Sequence, residues 1–169
     1  MKTILELKDD QYEYTKITHT RLIARAVVIN DENKVCLMHL NRHDDFGSYD
    51  YYETPGGGVN ENEDIDLAVI REIKEETGCI CKIVNELGIV SDYYNKIYRH
   101  NLNHYYLLRV VSYGECQLEE YEKDIFSEVI WVDIDKAINL LDNMGDNMIP
   151  LLVKRRELPI YRLAKKYIK

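Results

Sequence analysis

The sequence predicts one mixed α/β domain in which a mixed or mostly antiparallel sheet is flanked by helices. Two β-branched runs near the start are separated by a short polar turn, which is typical of a hairpin. A long helical pattern follows, and further strand-like runs precede two C-terminal helices. Because hairpins dominate this order, a doubly wound parallel sheet is not expected. The length of 169 residues fits a single domain covering 1–169.

The first half of the chain contains the predicted hairpin. Its strands are Arg21–Asn30 (RLIARAVVIN) and Lys34–Leu40 (KVCLMHL), and the three polar residues between them supply the turn. The run Asn41–Asp50 is rich in turn-forming residues and is predicted to be a loop. Tyr51–Thr54 is predicted to be a short strand, which ends at the following proline because proline lacks the amide that a strand ladder needs.

The clearest helix of the sequence is Glu63–Thr77. Gly78 follows it directly, and glycine is the residue that most easily adopts the left-handed conformation at a helix C-terminus. Leu67, Ile70 and Ile73 are expected to form the side of this helix that packs against the sheet.

The remaining predicted elements lie in the second half of the chain. They are strands at Ile80–Ile89, Tyr105–Tyr113 and Val129–Val132, followed by helices at Asp133–Leu141 and Ile149–Tyr167. Pro159 is expected to interrupt the last helix, because proline removes a hydrogen bond from a helix interior. Met1–Lys16 is polar and gives no clear prediction.

Composition and charge narrow the classes of function. The net charge of −8 argues against binding of a nucleic-acid polymer, because neutralising a phosphate backbone needs clustered lysine and arginine. The chain has neither an apolar run of ~18–20 residues nor a secretory signal at its start, so a cytoplasmic protein that does not span a membrane is expected. The cysteines lie in apolar segments and are expected to be reduced core thiols: Cys36, Cys79, Cys81 and Cys116.

Three acidic residues fall on one turn of the predicted helix. Glu72, Glu75 and Glu76 stand at positions i, i+3 and i+4, so their carboxylates lie within about a quarter of the helix circumference. Like charges at this spacing destabilise a helix by roughly a few tenths of a kcal/mol each, unless a cation lies among them. Carboxylate oxygens suit Mg²⁺ or Mn²⁺, and the preceding Gly56–Gly58 lets the backbone approach such a site. A solvated acidic helix face is the alternative.

The whole segment from Gly57 to Cys79 resembles the Nudix box. That motif consists of Gly, five residues, Glu, seven residues, Arg-Glu, an aliphatic residue, one residue, Glu-Glu, one residue, Gly and an aliphatic residue. The fixed identities are present in register at Gly57, Glu63, Arg71, Glu72, Glu75, Glu76 and Gly78. Cys79 replaces the last aliphatic residue, and a buried cysteine behaves as a small hydrophobe. The resemblance implies the Nudix α/β/α sandwich with a mixed, partly antiparallel sheet.

The resemblance also implies an activity. Nudix enzymes use Mg²⁺, or in some cases Mn²⁺, to hydrolyse phosphoanhydride bonds in nucleoside di- or triphosphates or in nucleoside diphosphates linked to another group. By position, the metal ligands would be Glu72, Glu75, Glu76 and the carbonyl of Gly57. Glu63 and Arg71 would form an orienting pair.

The general base stays open at this point. Glu72 is one candidate, whereas some members of the family use a glutamate from a later loop. The choices in that loop are Glu119, Glu120 and Glu122, of which we prefer Glu120. A solvated acidic loop is the simpler interpretation of the same run.

Substrate recognition is harder to predict. Many of the fourteen tyrosines bunch in 49–52 and 92–106. Their rings could stack on a nucleobase, with Tyr105 lining the pocket and Arg25 or Arg99 contacting a phosphate. Ordinary strand and surface tyrosines are the simpler interpretation.

Two kinds of function therefore remain. The first is a hydrolase of a small nucleotide or diphosphate, either a nucleoside triphosphate pyrophosphatase or an enzyme acting on ADP-ribose or sugar nucleotides. The ADP-sugar subtype often has a proline soon after its box, and none occurs between Gly78 and Pro150. The second is a noncatalytic nucleotide-sensing module, which is disfavoured because such modules tend to lose box carboxylates. A homodimer is expected from the resemblance alone.

Overall fold

The computed structural model describes residues 1–45, 47–117 and 126–168, and these residues form eight strands and three α-helices. The strands are β1 (Thr3–Leu7), β2 (His19–Ile29), β3 (Val35–Asp44), β4 (Gly47–Glu53), β5 (Gly56–Gly58), β6 (Cys79–Tyr94), β7 (Arg99–Tyr113) and β8 (Phe126–Val132). The helices are α1 (Ile65–Thr77), α2 (Ile134–Asp142) and α3 (Met148–Ala164).

The strands build one sheet of mixed direction. Its order is β1-β6-β7-β2-β3-β4, while β5 pairs with β2 and β8 pairs with β3. β1 runs parallel to β6 and β2 runs parallel to β7, whereas the other pairs are antiparallel. The mixed, partly antiparallel sheet is therefore confirmed.

The central strand β2 is buried on both faces. Ala26 and Val28 belong to a core shared with α1, whereas Val27 and Ile29 belong to a core shared with α2 and α3. Each of these side chains is at most 1% exposed. Helices thus cover both sides of the sheet, which explains why β2 is an almost continuous apolar run and confirms the α/β/α sandwich.

The predicted loop at Asn41–Asp50 is wrong, because the ends of β3 and β4 pair through most of it. The register runs from Met38 opposite Glu53 to Asp44 opposite Gly47. Polar pairs join the two strands, including His39 Nε2 with Asp50 Oδ1 at 2.6 Å. These contacts link residues that look like turn formers when each is considered alone.

Helix α1 begins two residues later than predicted, and one of the residues predicted to face the sheet does not do so. Asp64 is its N-cap, and its carboxylate accepts hydrogen bonds from the Asp66 and Leu67 amides. Leu67 is 66% exposed, so its predicted packing against the sheet is wrong. Ile73 is fully buried as predicted, and the fully buried Val69 takes the place of Leu67.

Helix α3 continues through Pro159 without a break. Proline at this position is exposed, and it is flanked by the buried side chains of Leu158 and Ile160. Packing of the neighbouring residues offsets the hydrogen bond that proline removes, so the predicted interruption is wrong. None of the helices among the described residues is long and apolar enough to cross a membrane.

None of the four cysteines, all of which are described by the structure, forms a disulfide bond. Cys36 and Cys79 are buried, as expected for core thiols, and burial raises the pKa of the Cys36 thiol well above its usual range. Cys116 is exposed, so the core assignment is wrong for this residue.

Candidate active site

A cleft of about 870 Å³ lies where the glycine strand β5, helix α1 and the hairpin β3–β4 meet beside β2. Its lining combines both signs of charge. The box glutamates Glu72, Glu75 and Glu76 contribute to it, as do five arginines, Arg21, Arg25, Arg42, Arg71 and Arg99. A surface of this composition suits a ligand that carries negative charge and a cation together.

Two of the three box glutamates lie on the buried side of helix α1. Glu72 and Glu76 are one turn apart, and each is less than one tenth exposed. They lie on the same arc of the helix as Val69 and Ile73. Glu75 is half-buried at the margin of the cleft. Two of the three carboxylates are therefore withdrawn from bulk water.

The glycine strand lies directly against these carboxylates. Gly56, with a φ of 134°, donates its amide to Glu76 Oε2 at 2.5 Å. At Gly57, an added Cβ would clash with the carboxylate of Glu72, whose Cδ atom would lie only 2.7 Å away. A side chain at Gly57 would therefore displace the Glu72 carboxylate. At Gly56 the positive φ and a Cβ position 2.6 Å from the Arg25 Cα atom favour glycine, so the sequence correctly suggested a close approach of the backbone here.

Arg71 connects the loop before α1 with the acidic side of the helix. Its Nε and Nη2 atoms donate to the two carboxylate oxygens of Glu63, both at 2.7 Å. Its Nη1 atom donates to Glu72 Oε1 at 2.7 Å and to Glu75 Oε2 at 2.9 Å. The Arg71 hydrogen bonds, with one from the Asn60 amide, lower the pKa of Glu63 to about 2. The expected contact between Glu63 and Arg71 is present, and the contacts to Glu72 and Glu75 were not foreseen.

These contacts bear on whether the acids suit a divalent cation. Among the described residues, no group of three acidic, histidine or cysteine side chains is already arranged to enclose a metal ion. The positive charge among the acids is the guanidinium of Arg71, which relieves the repulsion between Glu72 and Glu75. Mg²⁺ usually takes only one or two carboxylates and completes its shell with water and phosphate oxygens. The donor set therefore fits a magnesium ion that shares these oxygens with Arg71.

The residues predicted to contact substrate differ in their surroundings. Arg99 lines the cleft. Arg25 also lines it, but its guanidinium is held by Glu53 at 2.7 Å and by the Thr54 carbonyl at 2.7 Å, so it is engaged within the protein. Tyr105 is 0% exposed and its hydroxyl donates to Glu157, which removes it from the candidate substrate contacts. The base candidates Glu119, Glu120 and Glu122 lie outside the described residues.

A buried network from α3 supports the segment that leads into the glycine strand. Glu157 is 0% exposed and accepts hydrogen bonds from Tyr105, from Arg156 Nε at 2.8 Å and from the hydroxyl of Thr54. Thr54 stands two residues before Gly56. Nothing in the sequence indicated this role, because Glu157 is one of several charged residues in a helical run.

Comparison with known families adds a second kind of observation. A model of the family described as NUDIX domain matches residues 19–153. Nudix hydrolase 7 of Arabidopsis thaliana is 28% identical over 129 residues, which cover 76% of this chain and 45% of that protein. ADP-ribose pyrophosphatase of Methanocaldococcus jannaschii is 30% identical over 117 residues, covering 69% and 66%. The chain thus spans about half to two thirds of the length of these curated relatives.

Solved structures share the fold. A NUDIX hydrolase from Nitrosomonas europaea superposes with a TM-score of 0.66 at 20% identity, covering 89% of this chain and 92% of the other. The NUDIX domain of Shewanella oneidensis NrtR, solved in complex with ADP ribose, gives 0.61 at 17% identity and covers 90% of each chain. At these identities the likeness concerns the fold.

Proposed function

This chain belongs to the NUDIX family, and on that premise we propose that it is a pyrophosphohydrolase that cleaves a phosphoanhydride bond with the help of a divalent cation. The observation that carries the proposal is the meeting of the box acids with the glycine strand on one wall of the cleft. Glu76 is held by the Gly56 amide, and Glu72 lies so close to Gly57 that an added Cβ would displace its carboxylate.

The cation would be Mg²⁺, with Mn²⁺ as a substitute, and the residues that would hold it are Glu72, Glu75, Glu76 and the carbonyl of Gly57. When bound, such an ion polarises phosphoryl oxygens and makes an attacking water more acidic. Carboxylate and carbonyl oxygens are the ligands that these ions prefer, which supports the assignment.

The protein's own residues have separable tasks in this proposal. Arg71 and Glu63 keep the loop after the glycine strand in register with α1 through a bidentate contact. Glu72 is the candidate base within the described residues, and Glu120 remains the alternative. Arg21 and Arg99 supply positive charge to the cleft, and burial together with the charge of Arg21 lowers the pKa of Arg99. An anionic ligand would relieve that repulsion, which favours a phosphate group beside these two arginines.

For the substrate we propose a nucleoside diphosphate linked to a further group, in preference to a nucleoside triphosphate. One relative at 30% identity is an ADP-ribose pyrophosphatase, and a NUDIX domain of the same fold binds ADP ribose. The missing proline after the box counts against the ADP-sugar subtype, so the assay must include both classes. A noncatalytic sensing module would bind such a compound without cleaving it.

The test is turnover by the purified chain with Mg²⁺ and a panel of ADP-ribose, UDP-glucose and nucleoside triphosphates. We expect a nucleoside monophosphate to be released from at least one sugar nucleotide, and we expect chelation of the metal to abolish release. Glu76→Gln should be inactive, whereas the exposed Glu61→Gln serves as the matched control and should retain activity. Tight binding of ADP-ribose with no product, in the presence of Mg²⁺ and Mn²⁺, would instead establish the sensing module.

A further inference from the structure

A smaller cavity of about 140 Å³ adjoins the cleft, and we call it the inner cavity. It lies between the β6–β7 pair and helix α3, and Asp92, Arg99, Asn101 and Arg156 are among the residues that line it. Six residues, including Arg99, line both the inner cavity and the cleft, so a ligand in the cleft can extend into it.

Three of the residues that line the inner cavity have a buried polar atom without a hydrogen bond among the described residues: Arg25 Nε, Arg99 Nε and Asn101 Oδ1. Asn101 is only 2% exposed, and its Nδ2 donates to Asp92 Oδ2 at 3.0 Å. That contact fixes the orientation of the amide, because the carboxylate must face a donor. Within the described part of the chain, the Asn101 Oδ1 atom has no donor and the buried Nε of Arg99 has no acceptor. Buried polar atoms are seldom left in this condition.

The two side chains that carry these atoms lie on one face of the sheet. Arg99 and Asn101 are two residues apart on β7, so their side chains leave the same face of the sheet. Their cross-strand partners are Tyr94 and Asp92, which share that face. The inner cavity therefore offers an acceptor, Asn101 Oδ1, and a donor on the same face of β7, Arg99 Nε.

We propose that the inner cavity binds hydroxyl groups of a sugar linked to the diphosphate, with Asn101 accepting a hydrogen bond and Arg99 donating one. This rests on the proposed function, whose substrate it makes more specific. Hydroxyl groups both donate and accept, so the hydroxyl groups of one sugar can satisfy both atoms. A phosphate brings no donor for Asn101, and the neighbouring Asp92 carboxylate repels it.

A nucleobase fits the inner cavity less well. The cleft is about 870 Å³ and has room for the nucleobase, so the inner cavity of about 140 Å³ is not needed to hold it. Tyr94 lies beside the hydroxyl site, but its ring already packs on Tyr12, with centroids 5.6 Å apart. Recognition by hydrogen bonds therefore fits this place better than recognition by stacking.

The first experiment compares two substrates on the unmodified protein. ADP-ribose and the β-methyl ester of ADP contain the same nucleoside and the same anhydride, but only the former has a distal sugar. We expect kcat/KM to be roughly 10- to 100-fold higher for ADP-ribose, because the ester leaves both polar atoms unsatisfied. Equal values for the two substrates would overturn the proposal, since the cavity would then hold only water.

The second experiment uses two matched variants, Asn101→Leu and Asn103→Leu. Asn103 also donates to Asp92 and is also fully buried, but it does not line the inner cavity. We expect Asn101→Leu to abolish the preference for ADP-ribose and Asn103→Leu to keep it. Loss of activity on both substrates to the same degree in Asn101→Leu would indicate a purely structural asparagine. A preference that follows the base when UDP-ribose is tested would also overturn the proposal.

Binding separates this proposal from the proposed function. Isothermal titration of the unmodified protein with ADP-ribose and with the methyl ester requires no turnover. A preference for ADP-ribose, lost in Asn101→Leu, would support the hydroxyl site even if neither compound is cleaved. Equal affinities would overturn it even if both are cleaved.

Discussion

Gly57→Ala tests directly whether the close approach of the glycine strand to α1 is needed for activity. An ideal Cβ at Gly57 would lie 2.7 Å from Glu72 Cδ, whereas carbon atoms in contact lie about 3.5–4.0 Å apart. The carboxylate must therefore move by about 1 Å, and a misplacement of that size can lower catalysis about 100-fold. We expect kcat for ADP-ribose with Mg²⁺ to fall by about that factor.

Folding should be affected much less than activity. Gly57 does not adopt a positive φ, and replacing glycine by alanine at a compatible position stabilises a protein by about 0.4–1 kcal/mol. Gly114→Ala is the matched control, because the nearest atom to its added Cβ would be 3.7 Å away. Urea unfolding should place both variants within about 1 kcal/mol of the unmodified protein. The reasoning would be refuted if Gly57→Ala kept full activity, or if both variants lost activity equally.

Three further predictions concern the helices. Glu75→Gln should lower kcat by several orders of magnitude with little change in the urea midpoint, because it removes charge from the cleft but little packing. Full activity of this variant would exclude Glu75 as a metal ligand. Ile73→Ala should lower the free energy of unfolding by about 2–5 kcal/mol, whereas the exposed Leu67→Ala should change it by less than about 0.5 kcal/mol; equal losses would contradict the helix orientation. Glu157→Gln should lower the free energy of unfolding in urea by about 3 kcal/mol, because the buried donors Tyr105 and Arg156 lose a charged acceptor. An unchanged urea midpoint would contradict the importance of this buried network.

Most of the correct predictions depend on residues that are only a few positions apart in the sequence. The box places Glu72, Glu75 and Glu76 on one turn of α1 because helical geometry fixes where i, i+3 and i+4 project. Gly78 closes the helix with a φ of 69°, as its position after the last helical residue indicated. The apolar runs of β2 and β3 were recognisable for the same reason, since a strand buried on both faces is apolar throughout.

The predictions that failed depend on partners far away in the chain. The β3–β4 hairpin is held by cross-strand pairs such as His39 with Asp50, which a residue-by-residue reading assigns to a loop. Which side of α1 meets the sheet was misjudged at Leu67, because an amphipathic pattern spread over more than half of the helix leaves its rotation undetermined.

The surroundings of the candidate site were likewise decided by tertiary structure. Tyr105 and Glu157 are 52 residues apart, yet their contact takes Tyr105 out of the cleft. The cavity beside Asn101 is lined jointly by residues of the β6–β7 pair and by residues of α3, which lies far from that pair in the chain. Local spacing determines which groups can act together on one helix, whereas the burial and the hydrogen-bond partners of each group arise when distant segments meet.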